Sequence, residues 1–258
     1  MKVWAIANQK GGVGKTTTAV SLAGCAANRK QKTLLVDLDP HGSMTSYLGC
    51  DPDELPASVY DVFDPAQQAD VSRLIIPTNE PGVFLMPASP AIATLDYQLG
   101  DLAGQGLFIA RAVAEVAGQY DRVIMDCPPT LGVLMVNALA AADRVIIPTQ
   151  TEDLALRGLL RMIDSLAMIT EVRGRSVPFL IVPTMFDRRT RASFRVLRTL
   201  RHQYKESVWR SVIPVDTGFR EASSKGRPLP CVWPSSRGAE AFEQLFNDLL
   251  KLEKAVLA

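Results

Sequence analysis

The sequence has little of what marks a disulfide-bonded or zinc-binding protein. Its four cysteines, Cys25, Cys50, Cys127 and Cys231, are far apart, and neither of its two histidines stands at zinc-ligand spacing from them. Because disulfide frameworks and structural zinc sites need cysteines at short, repeated spacings, the pattern indicates free thiols in a reducing compartment. The sequence therefore predicts a cytoplasmic protein.

Long apolar runs and a strong net charge are also missing. No stretch approaches the roughly 20 apolar residues of a membrane-spanning helix. The apolar start of the chain is too short for a secretory signal and leads directly into glycines. The formal net charge is only +1, so any attraction to nucleic acid or to anionic lipid must come from a local patch. We expect no membrane association.

The chain also lacks a linker, an internal repeat and a low-complexity tract. No segment rich in proline, glycine and serine divides the 258 residues. The 47% hydrophobic content is ordinary for a chain that buries a sizeable core. The sequence therefore predicts a single domain over residues 1–258.

Short apolar runs alternate with longer segments of helical periodicity. The runs predict buried strands at 3–7, 33–36, 83–86, 123–125, 144–147, 179–182 and 211–213. The longer segments predict helices at 15–28, 90–102, 107–119, 131–141, 154–171, 191–204 and 238–254. This alternation predicts an α/β fold: a mostly parallel twisted sheet of about seven strands, helices on both faces and ligands beyond the carboxyl ends of the strands.

A glycine-rich turn, KGGVGKTT, follows the first predicted strand and leads directly into a helical segment. Its glycines let backbone N–H groups surround a phosphate, and the helix N-terminus adds a positive dipole. Lys15 is placed to reach the β- and γ-phosphates, and Thr16 offers a hydroxyl to magnesium. The turn therefore predicts a P-loop ATPase. Its predicted ATP-binding residues are Gly11, Gly12, Val13, Gly14, Lys15, Thr16 and Thr17, to which the family resemblance described below adds Lys10.

The turn departs from two common phosphate-binding patterns. The strict pattern G-x-x-x-x-G-K-[ST] has glycine where this chain has Gln9, and a second lysine, Lys10, follows. The dinucleotide pattern G-x-G-x-x-G also fails, because Thr17 stands in its last position. This mismatch argues against a nicotinamide or flavin site.

With its second lysine, KGGVGKTT resembles the deviant Walker A motif of the ParA/MinD family of dimeric ATPases. Three further segments resemble family elements in the same order. LLVDLDPHGS is similar to the DxDPQGN element, VIMDCPP to the Walker B element, and IPTQTEDLALRGL to the segment after the next strand. The resemblance covers most of the chain and implies an ATP-dependent homodimer that uses ATP and Mg²⁺.

The resemblance also implies roles for charged residues. Lys10 matches the signature lysine that reaches the ATP of the partner subunit, and Asp39 matches the carboxylate that orients or deprotonates the attacking water. With Lys15, these are the predicted catalytic residues. The predicted magnesium ligands, directly or through water, are Thr16, Asp37 and Asp126.

One loop near the predicted phosphate site differs from the family pattern. His41 and Ser43 stand where glutamine and asparagine are usual, in the segment that changes shape with nucleotide. His41 could sense pH, contact the partner subunit or have no effect.

The resemblance implies that the loop at 183–187 and the loop after Pro214 hold adenine between them. We count Pro214 among the predicted ATP-binding residues.

Basic residues are concentrated in one segment. Residues 186–210 contain eight Lys/Arg and two acidic residues, a local charge of +6 that leaves −5 on the rest of the chain. Helical spacing places Arg191, Arg195 and Arg198 on one face with His202 and Lys205. That face suits the DNA backbone without reading of bases, an acidic partner protein, or solvent alone, and these readings stay open.

The family resemblance favours DNA among them. MFDRRT is similar to the MYDGRT of members that use the chromosome as a track, and Arg189 is the best match. A second family arginine falls near residues 215–218, with Arg220 close by in sequence. The predicted DNA-binding residues are Arg188, Arg189, Arg191, Arg195, Arg198 and Arg220.

Together these features predict a ParA-type ATPase that dimerises on ATP and uses partner-stimulated hydrolysis to position or segregate a cargo. The cargo is chromosome or plasmid DNA, or a polar chemotaxis cluster of the kind that ParC-like members place. The chemotaxis cargo is suggested by residues 41–43 and 215–218, where the sequence departs from the family pattern. Such a protein would be nucleoid-associated or polar.

Other functions of the same fold stay open. They are a MinD-like ATPase that acts through protein partners without DNA, a ligase or kinase, and a metal-cluster ATPase. A MinD-like membrane anchor in the last helix is disfavoured, because the polar face of that helix mixes acidic and basic residues.

Overall fold

One sheet of seven strands organises the computed structural model, which describes residues 1–63, 70–95, 107–174 and 176–257. The strands are β1 (Lys2–Ile6), β2 (Thr33–Asp37), β3 (Ile76–Pro77), β4 (Val83–Met86), β5 (Arg122–Asp126), β6 (Arg144–Gln150) and β7 (Phe179–Thr184). Their order is β3-β4-β2-β5-β1-β6-β7, and within the described residues only the β3–β4 pair is antiparallel. The predicted α/β fold with a mostly parallel sheet is confirmed.

Nine α-helices lie within the described ranges. They are α1 (Lys15–Ala27), α2 (Ser43–Tyr47), α3 (Phe108–Glu115), α4 (Val133–Ala141), α5 (Asp153–Arg173), α6 (Arg191–Tyr204), α7 (Gly218–Ser224), α8 (Leu229–Val232) and α9 (Arg237–Leu257). Short 3₁₀ helices form at Val59–Phe63, Val71–Leu74, Pro90–Thr94 and Lys205–Ser207.

Alternate residues of the strands feed two hydrophobic cores, one on each face of the sheet. Val3 and Ala5 of β1 join the core that α3, α4, α5 and α6 cover. Trp4 and Ile6 join the other core, which α1 and α9 cover. Side chains alternate across a strand, so a buried parallel strand must be apolar on both sides. Helices on both faces are therefore confirmed.

Two predicted elements need correction. Residues 211–213 form no strand: Ile213 donates a hydrogen bond to the carbonyl of Pro183 (2.8 Å), but Pro214 has no N–H to continue a ladder. The seventh strand is instead β3, which ends in Pro77 at the sheet edge, where a proline is tolerated. The helix predicted at 90–102 begins as the 3₁₀ turn Pro90–Thr94, and residues 96–102 lie outside the described part.

The last helix, α9, is anchored to the sheet. Its apolar stripe is buried and comprises Phe242, Leu245, Phe246 and Leu249. Near its C-terminal end, Glu253 accepts hydrogen bonds from Arg122 of β5 (2.7 Å) and from the indole of Trp4 (2.9 Å). The stripe is thus part of the core, as the sequence indicates. No helix among the described residues is long and apolar enough to cross a membrane.

Candidate nucleotide-binding and catalytic site

The glycine-rich loop lies at the carboxyl edge of the sheet, between β1 and α1. Gly12 and Gly14 have φ angles of +72° and +91°, which glycine adopts without strain. A Cβ added at Gly11 or Gly12 would meet nothing within 4 Å, so this part of the loop faces open space. The sequence thus builds an open cradle of backbone amides at the N-terminus of α1, suited to an anion.

Neighbouring elements fix the shape of this loop. Thr184, at the end of β7, donates its hydroxyl proton to the carbonyl of Val13 (2.8 Å). Gln9 donates to the hydroxyl of Ser165 on α5 (2.6 Å). The residue that replaces the usual glycine therefore ties the loop to α5. This contact joins positions 156 residues apart, and no motif signals it.

The two lysines of the loop point to different places. Lys15 is buried, at 8% exposure, and its ammonium group donates to the carbonyl of Lys10 (3.2 Å), which keeps it inside the loop. The side chain of Lys10 leaves the loop, and its ammonium group donates to Gln150 at the end of β6 (2.9 Å). The geometry thus separates an inward lysine from a lysine at the rim of the site.

Thr16 and Asp126 form the part of the site that fits a magnesium ion. The Thr16 hydroxyl donates to Oδ2 of Asp126 (2.6 Å), while Oδ1 of Asp126 is buried without a hydrogen-bond partner. Burial and the nearby charge of Asp37 raise the pKa of Asp126 well above its usual range. A cation would reverse this effect and partner the orphaned oxygen. The hydroxyl and carboxylate are also the oxygen ligands that magnesium prefers.

Asp37 is paired with Asp126 in the β2–β5 register, but hydrogen bonds occupy both of its oxygens. Oδ2 accepts from the backbone N–H and the hydroxyl of Thr45, both at 2.8 Å, and Oδ1 accepts from the backbone N–H of Asp39 (3.1 Å). Burial raises its pKa to about 6 although these bonds oppose the rise. Asp37 thus organises the loop that follows β2, a role that its spacing in the sequence did not reveal.

The described residues contain no cluster of three or more His, Cys, Asp or Glu side chains that could hold a metal. A magnesium ion at this edge would be held by Thr16, Asp126 and the phosphates of a nucleotide, since magnesium usually takes one or two protein ligands beside phosphates. The assignment of Asp37 as a ligand stays a prediction.

Asp39 lies two residues beyond the end of β2, on the turn that precedes α2. Its side chain is 14% exposed. Its Oδ1 accepts hydrogen bonds from the backbone N–H (3.1 Å) and from Nδ1 (2.8 Å) of His41. The carboxylate is thus held on the sheet edge that carries the loop, where it can face a reacting water.

A cavity of about 840 Å³ opens beyond the end of β7. Backbone hydrogen bonds from Phe186 to Ile213 (3.0 Å) and from Val215 to Phe186 (3.3 Å) hold together the two loops predicted to enclose adenine. The cavity is lined by Phe186, Asp187, Arg188, Arg189, Pro214, Val215, Asp216 and residues of α9. The structure therefore brings both loops, with Pro214, to one concave surface.

The basic face of α6 is exposed as its spacing predicts. Val196, Leu197 and Leu200 are buried on the opposite side. The exposed residues of the helix are Arg191, Arg195, Arg198 and His202, and Lys205 is exposed in the 3₁₀ turn that follows. Arg220 lies on α7 and is also exposed.

Two of the predicted DNA-binding arginines already form ion pairs. Arg189 pairs with Asp187 (2.8 Å) and holds the pKa of that carboxyl down at about 2. Arg195 pairs with Asp153 of α5. Such exposed pairs are weak and salt-sensitive, so a phosphate can compete with them.

Comparison with known proteins agrees with this geometry. Residues 1–177 match the family described as AAA domain. The chain is 36% identical to the sporulation initiation inhibitor protein Soj of Bacillus subtilis, over 96% of this chain and 98% of the relative. It is 34% identical to the chromosome partitioning protein ParA of Myxococcus xanthus, over 97% and 88%.

A solved structure is similar over nearly the whole chain. It is described as cobyrinic acid a,c-diamide synthase from Mycobacterium smegmatis with bound ATP analogue and magnesium. It is 36% identical, with a TM-score of 0.85, over 98% of this chain and 96% of that one. ATP and magnesium are the cofactors that the loop and its carboxylate predict. The motifs, the sheet and these full-length matches together show that the chain belongs to the ParA/MinD family of P-loop ATPases.

Proposed function

We propose that the chain is a ParA-type ATPase, one domain over residues 1–258, that dimerises on ATP and uses hydrolysis to segregate chromosome or plasmid DNA. One observation carries the ATPase assignment: Lys15, Thr16 and Asp126 converge on an open amide cradle at the carboxyl edge of the central strands. The name of the Myxococcus xanthus relative, a chromosome partitioning protein, supports the cargo.

ATP would bind with its phosphates in the cradle and its base in the cavity that Pro214 lines. The backbone amides of residues 11–16 and the ammonium group of Lys15 would hold the β- and γ-phosphates. Thr16 and Asp126 would hold magnesium, which supplies positive charge that neutralises the phosphate oxygens. Phosphate would replace the Lys10 carbonyl as the partner of Lys15.

Hydrolysis needs an oriented water and a cation for the charge that develops on the phosphate. Asp39 would orient or deprotonate the water, from a turn that Asp37 fixes by accepting the Asp39 N–H. Lys10 would supply the cation to the ATP of a second copy. Its ammonium group lies at the rim and is held by the neutral Gln150, which a phosphate can replace as its partner.

The exposed basic face of α6 would bind the DNA backbone. The protein would therefore bind DNA independently of sequence and more weakly as salt rises. We infer a cytoplasmic, nucleoid-associated protein whose hydrolysis is stimulated by an activating partner.

A ligase is the second candidate, because the similar solved structure is described as a diamide synthase. If such a ligase also hydrolyses free glutamine to supply its ammonia, the chain needs a reactive cysteine thiolate. Burial raises the pKa of Cys25, Cys50, Cys127 and Cys231 alike, which keeps these thiols protonated. This argues against such chemistry, and an ATP-dependent product from an added acid and ammonia would decide in its favour.

The mass of the Asp39→Ala protein in ADP and in ATP tests the proposal. We expect a monomer in ADP and a trapped dimer in ATP, by light scattering coupled to size exclusion. The ATP form should bind duplex DNA in low salt and release it in high salt. Lys15→Ala is the control that should stay monomeric in both nucleotides.

The outcomes separate the open functions. A dimer that ignores DNA at every salt concentration would support an ATPase that acts through protein partners. Normal hydrolysis by Asp39→Ala would remove that residue from the mechanism. In cells, deletion that leaves DNA segregation intact but scatters polar chemoreceptor arrays would replace DNA by those arrays as the cargo.

A further inference from the structure

His41 touches the carboxylate that we assign to water activation. Its Nδ1 lies 2.8 Å from Oδ1 of Asp39, and its backbone N–H donates to the same oxygen (3.1 Å). The imidazole is 80% exposed, whereas the Asp39 side chain is 14% exposed. A surface side chain thus covers one oxygen of a mostly buried carboxylate.

The turn that carries His41 is fixed by its own neighbours. Gly42 donates to the carbonyl of Asp39 (2.8 Å) and has a φ of +58°. A Cβ at Gly42 would lie 2.4 Å from Cγ of Pro52, so the chain passes too close for any other residue. The backbone of the turn is therefore fixed beside Asp39, and the contact with Oδ1 holds the imidazole there.

The two bonds from His41 leave the second oxygen of Asp39 available. Both end on Oδ1, and Oδ2 has no hydrogen bond from the described residues. A separate cavity of about 440 Å³ lies beside the turn, lined in part by His41, Pro128 and Thr130. The turn thus borders open space on the side that carries His41.

We propose that His41 is a positioning residue for hydrolysis: by donating from Nδ1 to Oδ1, it holds the Asp39 carboxylate with Oδ2 turned to the attacking water. The inference rests on the proposed ATPase function and on the role of Asp39. The torsion of an aspartate carboxylate is broad, so a carboxylate without this bond samples several orientations. A donor that fixes one of them raises the fraction competent to orient water.

Replacing His41 tests this through hydrolysis and binding together. We expect His41→Ala to lower kcat about tenfold, as loss of an orienting partner commonly does, with ADP affinity and thermal stability unchanged. His41→Asn should keep most of the rate, because its amide nitrogen sits near the position of Nδ1 and can donate the same bond. In the Asp39→Ala background, His41→Ala should have no further effect.

The measurements are phosphate release with Mg–ATP over a range of ATP concentrations and binding of a fluorescent ADP analogue, on the full chain. A His41→Ala protein with the wild-type kcat would overturn the proposal, as would an equal loss in His41→Ala and His41→Asn. If His41→Ala loses ADP binding, the kcat of His41→Asn is compared with that of the wild type. A kcat near the wild-type value supports the proposal, and a large loss overturns it. A wild-type protein that releases no phosphate would refute the ATPase function itself, a result distinct from these.

Discussion

At the scale of single residues, the candidate site holds two carboxyl groups whose charged form is disfavoured by burial. Asp37 and Asp126 are paired across β2 and β5, and burial raises the pKa of Asp37 from 3.8 to about 6 and that of Asp126 in the same direction. An acid with a higher pKa in the folded state binds its proton more tightly there than in the unfolded state. The stability from Asp37 is therefore present at low pH and is lost as pH rises from about 4 through 6, and Asp126 changes stability in the same direction.

Asp126→Asn should stabilise the ligand-free protein because it removes this buried charge. We expect a higher melting temperature at pH 7.5, about 2–4 °C for each kcal/mol gained. The gain should be smaller at pH 5, because a raised carboxyl pKa destabilises the folded protein less as pH falls. Thermal unfolding at both pH values measures this. Asp53→Asn, at an exposed position, is the control. An equal gain at both pH values would contradict the argument.

The two lysines of the loop should separate binding from assembly. Lys15 lies inside the loop, so Lys15→Ala should abolish nucleotide binding. Lys10 leaves the loop, so Lys10→Ala should still bind ATP as a monomer and lose the ATP-dependent dimer. Binding of a fluorescent nucleotide and the mass by light scattering report the two effects. Equal loss of nucleotide binding in both variants would remove the distinction.

Sequence predicted the residues of this site better than their contacts. The loop from Lys10 to Thr17 is local, so its motif fixes both its conformation and its chemistry. The Gln9–Ser165 bond and the covering of Asp39 by His41 depend on how the chain closes in space, and no spacing rule contains them. The roles of Lys10, Lys15, Thr16, Asp39, Asp126 and Pro214 stay predictions.

At the scale of elements, α6 carries arginines in two electrostatic states. Arg189, just before the helix, and Arg195 pair with carboxylates, whereas Arg191 and Arg198 form no ion pair among the described residues. An arginine that must first leave a carboxylate contributes less to binding a phosphate. We therefore expect Arg191→Ala and Arg198→Ala to weaken DNA binding more than Arg189→Ala and Arg195→Ala.

The salt dependence of DNA affinity measures this difference. Each lost phosphate contact should reduce the slope of log K against log salt by about 0.9. Arg111→Ala, an exposed arginine of α3, is the matched control and should leave the slope unchanged. Equal slopes for all four variants and the control would place DNA binding elsewhere, or show that the face serves a protein partner.

Periodicity located most elements, and its failures have a physical cause. The buried strands are continuous apolar runs, so six of them were predictable. Residues 211–213 look similar, but Pro214 ends the run. Ile213 donates one hydrogen bond to Pro183 of β7 and accepts one from Phe186 in the loop after it, and no strand forms. The edge strand β3 has two residues, and its pairing with β4 depends on the rest of the sheet.

At the scale of the whole molecule, the net charge is small because a basic segment and an acidic remainder nearly cancel. Residues 186–210 carry +6 and the rest of the chain −5, so a net charge of +1 conceals one basic surface. A single copy would offer DNA that one surface, because the net −5 on the rest of the chain adds no overall attraction to the DNA backbone. A dimer that places two such surfaces on one duplex would gain affinity without any new contact, because the second binds at a high effective concentration.

ATP should therefore strengthen DNA binding, because an ATP-bound dimer would present two basic surfaces to the duplex where a monomer presents one. The Asp39→Ala protein should show about twice the salt slope in ATP that it shows in ADP, because twice as many phosphates release counterions. Lys10→Ala separates dimerisation from nucleotide binding and should keep the smaller slope in ATP. Fluorescence anisotropy of a labelled duplex over a salt series measures both. An equal slope in ATP and ADP would contradict this prediction, because it would mean that ATP brings no second basic surface to the duplex.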